Sequence, residues 1–170
     1  MRHTFQSTQW VPYSLERVFA FFANSANLPR LMPAWQKARI ESSALVTPPN
    51  SGGRSESTFA GKGSVMTISF LPFPLSPIRL RWVASIVAFE WNSYFCDEQQ
   101  KGPFAYWRHC HRVSEERRNG VDGTLVMDDL IYELPLGILA EPAHFLFLRR
   151  QVEAIFAFRQ RRLVELLGSS

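Results

Sequence analysis

The stretch "CDEQQKGPFAYWRHCHRV", residues 96–113, decides how this chain folds. It holds both cysteines, two of the four histidines and an Asp-Glu pair, divided by Lys-Gly-Pro. The Gly-Pro break separates two extended segments. In a strand, alternate side chains share a face. From Trp107 onward, one face carries Trp107, His109, His111 and Val113, and the other Tyr106, Arg108, Cys110 and Arg112. Two arginines are costly to bury, so the first set is assigned to the covered side. On the preceding segment Phe95, Asp97 and Gln99 alternate with Tyr94, Cys96 and Glu98. Pairing the two inner sets puts an acid beside two imidazoles.

The neighbouring segments extend that inner face. In "GTLVMDDLIYEL", residues 123–134, Asp128 shares a face with Leu130 and Tyr132. A long helix is expected over roughly 143–167, where Phe145, Leu148, Val152, Ile155, Phe156, Leu163 and Leu166 form an apolar stripe. Arg159 falls in the middle of that stripe, where a charge must be paired or meet a cavity. The inward polar inventory is therefore Asp97, Gln99, His109, His111, Asp128, Tyr132 and Arg159, set among Trp107, Phe156 and other aromatics. A few polar groups converging in an apolar setting is the composition of a small-molecule site.

Upstream, residues 3–11 read as a strand ended by Pro12. Ser14 is the expected N-cap of a helix whose stripe is Leu15, Val18, Phe19 and Phe22. A second helical turn fits "SANLPRL", stopped by Pro33, and "WQKARIES" and "GSVMTISF" read as strands. Residues 43–62, rich in Ser, Gly and Pro, form a loop or ragged hairpin. "LPFPLSP", residues 71–77, is an apolar proline loop, and 78–89 a strand presenting Leu80, Trp82, Ala84 and Ile86 on one face. The last strand is closed by Pro135 and Gly137. Strands joined by short turns imply an antiparallel sheet, and one long helix must bury its stripe against it. The expected class is α+β: a curved sheet of six or seven strands around a C-terminal helix, as one domain over residues 1–170.

Composition narrows the function classes. The chain has 170 residues, 46% hydrophobic, with 14 Phe and a formal charge of +4. That suits a globular domain with a bulky core or an apolar cavity. No charged start followed by an apolar run is visible, no run reaches membrane-spanning length, and two cysteines make no disulfide framework. The expectation is a cytoplasmic protein with reduced thiols and no stable membrane association. A disulfide between Cys96 and Cys110 is sterically open, because both fall on the outer face of neighbouring strands.

Four pieces resemble one superfamily: "VFAFFANSANLPRLMPAW", "FCDEQQKGPFAYWRHCHRV", "DDLIYELPLG" and "FAFRQRRL". In that order they resemble the START/Bet v 1-like (SRPBCC) superfamily, and within it the bacterial polyketide cyclase-like branch. The resemblance implies a helix-grip fold with a hydrophobic cavity. It leaves the chemistry open, since members include carriers, cyclases, aromatases and hydrolases.

The residues favour some readings over others. Two His at i, i+2 with Asp97 near them are compatible with zinc. Both cysteines, however, lie on the opposite face, and no further ligand falls at a suitable spacing, so no metal and no cofactor are expected. His109 or His111 as a general base, with Asp97 beside it, is the catalytic reading. The blander one is a satisfied buried network. Arg159 is an anchor for an anionic ligand or a structural partner of Asp128 or Asp97. Nucleic acid has no support beyond net charge. The expected function is binding of a hydrophobic or aromatic small molecule through Asp97, Gln99, Trp107, His109, His111, Asp128, Tyr132, Phe156 and Arg159. The alternatives are a cyclase/aromatase- or hydrolase-type enzyme with Arg159 or Tyr132 as electrophilic partner, and, more weakly, a lipid or quinone carrier touching membranes through "FLPFPLSP". A homodimer is left open.

Overall fold

The computed structural model describes residues 1–49, 58–135, 139 and 141–169. The chain runs β1 (Arg2–Val11), α1 (Leu15–Ala23), two 3-10 turns (Ser25–Leu31 and Ala34–Gln36), β2 (Arg39–Ala44) and β3 (Val65–Phe70). It continues with β4 (Leu80–Glu90), β5 (Tyr94–Lys101), β6 (Tyr106–Arg118) and β7 (Val121–Glu133). A short α2 (Glu141–Ala143) and a π-helical turn (His144–Leu148) lead into α3 (Arg149–Gly168). The seven strands form one sheet, ordered β1-β7-β6-β5-β4-β3-β2, with every pairing antiparallel. This is the expected α+β helix-grip architecture. Residues 50–57 of the expected 43–62 loop, and Gly137, lie outside the described residues.

Local chemistry sets the boundaries. The Ser14 hydroxyl accepts the Arg17 backbone N–H and so caps α1. The strand expected over 35–42 begins only at Arg39, because Ala34–Gln36 close a helical turn and Lys37 takes a left-handed conformation, φ 46°. Asn119 and Gly120 both have positive φ, which gives the β6–β7 hairpin the twist of its flanking strands. The β5–β6 connection is held differently. The Gln99 amide donates to the Phe104 carbonyl at 2.7 Å and accepts its backbone N–H at 3.3 Å. A Cβ on Gly102 would come within 2.3 Å of Gln99 Oε1, so the close approach of that amide requires glycine.

Two apolar clusters anchor the grip. Val11, Phe19, Phe95, Val126, Leu163 and Leu167 join α1 and the end of α3 to the sheet. Leu130, Tyr132, Val152 and Phe156 join the start of α3 to β7, with Phe5 and Trp107 packed alongside. Phe145 departs from the expected stripe and is 70% exposed. The π-helical turn over His144–Leu148 has more residues per turn than an α-helix, so the phase set by Val152 and Phe156 does not extend back to it.

The expectation of reduced thiols is overturned. Cys96 and Cys110 face each other across β5 and β6 with their Cα atoms 4.0 Å apart, and they are joined in a disulfide. That separation belongs to the close, non-hydrogen-bonded type of antiparallel pair, which brings two outward side chains together. Thiol titration of the unfolded, unreduced protein is expected to find no free thiol. Closing a segment of this length is worth at most about 3 kcal/mol, so Cys110→Ser should lower stability by no more than that. Two free thiols in protein purified without reductant would overturn the pairing.

Candidate functional site

Strand register brings the polar residues together. Asp97 pairs with His109, Phe95 with His111, and His111 with Asp128. Because successive side chains alternate, all four polar groups reach the concave side beneath α3. His109, His111 and Asp128 are buried, with 4%, 5% and 7% exposure. His109 Nε2 lies 3.0 Å from Asp128 Oδ1, and His111 Nδ1 is 2.7 Å from the same oxygen but off the axis of a hydrogen bond. On the other side of His109, Nδ1 is 3.9 Å from Asp97 Oδ1. The result is a row running Asp97, His109, Asp128, His111. Ser7 on β1 donates to the second Asp128 oxygen at 3.4 Å.

The electrostatics follow from burial and these contacts. Burial alone would raise the Asp128 carboxyl. The close His111 imidazole and the hydrogen bond from His109 outweigh that and hold it well below the usual carboxylate range. Asp128 is thus an ionised acceptor, and His109 Nε2–H is its donor. Burial lowers both imidazoles below the ordinary histidine value. His111 reinforces the effect on His109 and the Arg159 charge reinforces it on His111, while Asp128 opposes it in both. Burial raises Asp97, against the pull of His109 and Arg159.

A cavity of about 360 Å³ lies between the sheet and α3. Asp97, Trp107, His109, His111, Phe156 and Arg159 line it, as do Leu80, Trp82, Ala84 and Ile86. Its aromatic wall is built by Trp82 edge-on to Trp107 at 4.7 Å, with Phe104 4.8 Å from Trp107. Phe22 stacks on His111 at 5.2 Å, and Phe156 meets His109 edge-on at 5.2 Å. Arg159 is half-buried with its guanidinium 5.4 Å from the Phe156 ring. Among the described residues it has no acidic partner within 4 Å, so it closes on neither Asp97 nor Asp128.

Three expected ligand contacts are placed elsewhere. Gln99 turns its amide to the Phe104 backbone and does not line the cavity. Tyr132 directs its hydroxyl to His144 Nε2 at 2.8 Å, behind the wall. Asp128 sits beneath the two imidazoles and is covered by them. The sequence reading missed Gln36, Phe104, Met66 and Gln151 as wall residues. Met66 is the one with a usable signal, since it shares strand parity with Ile68 and Phe70.

One atom each from Asp97, His109 and His111 lie within 4.8 Å of one another, and His3, Glu141 and His144 form a second such group. At the first, the Nε2 of His109 is already committed to Asp128. Elemental analysis of untagged protein is expected to show no stoichiometric zinc, and one zinc per chain lost in His109→Ala would overturn this. The lowered imidazoles also predict a pH dependence. Below the ordinary histidine value the unfolded chain takes up protons that the folded chain refuses, so stability falls on acidification. Urea unfolding between about pH 7 and pH 5.5 should show a falling midpoint, with a limiting slope of about 1.4 kcal/mol per pH unit for each histidine. Asp97 works in the opposite sense at lower pH, because its raised value favours the folded state while it is protonated. A midpoint that rises over the histidine range would contradict neutral buried imidazoles.

Comparison with known proteins agrees with this architecture. No curated protein matches the chain significantly by sequence. Among solved structures, Ara h 8.0201 superposes with a TM-score of 0.63 at 14% identity, with 100% of each chain covered. At that identity the likeness speaks for the fold alone. The family model for polyketide cyclase / dehydrase and lipid transport matches residues 11–156, which include most of the cavity lining but only the start of α3, and stop short of Arg159. The chain therefore belongs to the polyketide cyclase / dehydrase and lipid transport family.

Proposed function

We propose that residues 1–170 act as one ligand-binding domain. It holds a hydrophobic or aromatic small molecule in the cavity, with Arg159 taking the molecule's anionic group. The observation that carries this reading is the half-buried Arg159 guanidinium, which lines an apolar cavity and, among the described residues, has no acid within 4 Å. Removing an unpaired guanidinium from water is costly. Asp128 already serves two imidazoles, and burial biases Asp97 toward its neutral form. An anionic ligand would complete the site. The volume of about 360 Å³ falls at the lower end of small-molecule pockets. Trp107 and Phe156 would contact the ligand body, and Asp97, His109 and His111 its polar edge. Asp128 would position the imidazoles, and Gln99 the loop that carries Phe104.

A second reading is an enzyme of the cyclase, aromatase or hydrolase kind. It draws on two neutral imidazoles that line the cavity and are free to accept a proton. In this reading His109 or His111 is the base and Arg159 the electrophilic partner. Tyr132 drops out of that role because its hydroxyl is held by His144.

Native mass spectrometry of protein taken from its own host is expected to show a retained small apolar anion. With anilinonaphthalene sulfonate, an aromatic anion, saturable binding should weaken at least about tenfold in Arg159→Met, while the urea midpoint changes little. A variant that loses stability but binds the probe as well as the parent would show that Arg159 serves only to balance the buried acids.

A further inference from the structure

The cavity uses two of the chain's four histidines. The other two, His3 and His144, meet outside it, where the start of β1 faces α2 and the π-helical turn. His3 Nε2 lies 3.2 Å from Glu141 Oε1. The His3 and His144 rings stack with centroids 3.5 Å apart and planes 17° from parallel. One donor atom from each of His3, Glu141 and His144 lies within 4.8 Å of the others.

An ion pair accounts for only part of this arrangement. It joins Glu141 to His3 and needs nothing from His144. Yet His144 is buried, at 7% exposure, and lies face to face with the His3 ring. Two imidazolium rings at that spacing would repel, so at least one ring is neutral and has a nitrogen lone pair to give. The Tyr132 hydroxyl, 2.8 Å from His144 Nε2, sets the orientation of the buried ring, as outer partners do for metal-bound histidines. Glu141 and His144 are three residues apart, the spacing that puts two side chains on one face of a helical turn. His3 arrives from a strand 138 residues away in sequence from Glu141.

Two imidazole nitrogens and a carboxylate oxygen form a donor set suited to zinc. Ligands about 2.1 Å from a tetrahedral ion stand roughly 3.4 Å from one another. The His3–Glu141 pair is already at 3.2 Å, and the third donor is within little more than an ångström of its place. The local charge permits a cation. Glu141 supplies a carboxylate, and Arg149, whose charge reaches His144, is paired with Glu153 at 3.1 Å.

We propose that His3, Glu141 and His144 bind one zinc ion, with water in the fourth position. The ion would pin the start of β1 to the segment that launches α3. Through Leu148, which follows His144 and lines the cavity, it would also steady one side of the chamber. Three protein ligands and an open position leave the ion exchangeable. Protein purified without added metal then carries no stoichiometric zinc, and the site is read by titration. The proposal is independent of what the cavity holds.

The experiment is calorimetric titration of chelator-treated, untagged protein with zinc. One ion per chain is expected, with micromolar or tighter affinity, and the melting temperature should rise with zinc concentration. Glu141→Gln and His3→Gln should each weaken binding at least about tenfold. Both side chains are partly exposed and glutamine retains hydrogen-bonding capacity, so the melting temperatures of the metal-free variants should stay close to the parent's. Cobalt(II) in place of zinc should give the strong visible absorption of a tetrahedral site, and Glu141→Gln should remove it. Absence of binding by the parent at millimolar zinc overturns the proposal. Binding that Glu141→Gln and His3→Gln leave undiminished overturns it equally, whichever residues then hold the ion.

Discussion

The carboxylate of Asp128 is the constraint on which the central sheet depends. An ionised group with 7% exposure must be met by donors, and here His109 and Ser7 supply them from the strands on either side, with the His111 ring closing over the same oxygen. His109 and His111 reach it only in the register that sets His111 opposite Asp128. A slip of one residue between β6 and β7 would turn either the acid or both rings to the convex face and leave a buried charge unmet. The same register delivers Trp107 and Leu130 to the concave side. One buried carboxylate therefore orders polar and apolar packing together.

The apolar clusters explain where that packing stops. One closes the sheet against α1 and the end of α3, and the other closes β7 against the start of α3. Between them the row of acids and imidazoles forms a floor that α3 bridges without filling the space above. Arg159 enters that space from the helix. Its positive charge favours ionisation of Asp97 and opposes protonation of His111, without touching either. The interior is thus polarised from two sides, with negative charge seated in the sheet and positive charge on the helix.

Much of this was legible in the sequence where side-chain period is strong. Strand parity over 94–99 and 107–113 put Asp97, His109 and His111 on one face, and the helix stripe from Val152 to Leu166 found its sheet. Elsewhere the deciding partner was invisible. Gln99 has inward parity, yet the backbone of Phe104 five residues on takes its amide. Tyr132 is inward too, but His144 captures its hydroxyl from a turn that sequence period describes wrongly. Phe145 misled for the same reason, because a π-helical turn breaks the phase of the helix it precedes. Gln36 and Phe104 stand on non-periodic segments that carry no face signal. The cysteine pair was judged by compartment, although parity had already placed both side chains on one face of neighbouring strands.

That pair has a mechanical consequence for the chamber above it. Cys96 and Cys110 occupy the rung next to Asp97 and His109, on the reverse side of the same two strands. A covalent tie there limits how far β5 and β6 can splay while the sheet flexes. The spacing of the acid and the ring is then settled in advance, which on the proposed reading leaves less disorder to be lost on association. The opposite wall, formed by side chains of α3, closes the space without any covalent tie and is the part free to adapt. The chamber has a stiff palm and a yielding thumb, so on the proposed reading selectivity would be strictest for the part of a ligand that rests on the palm.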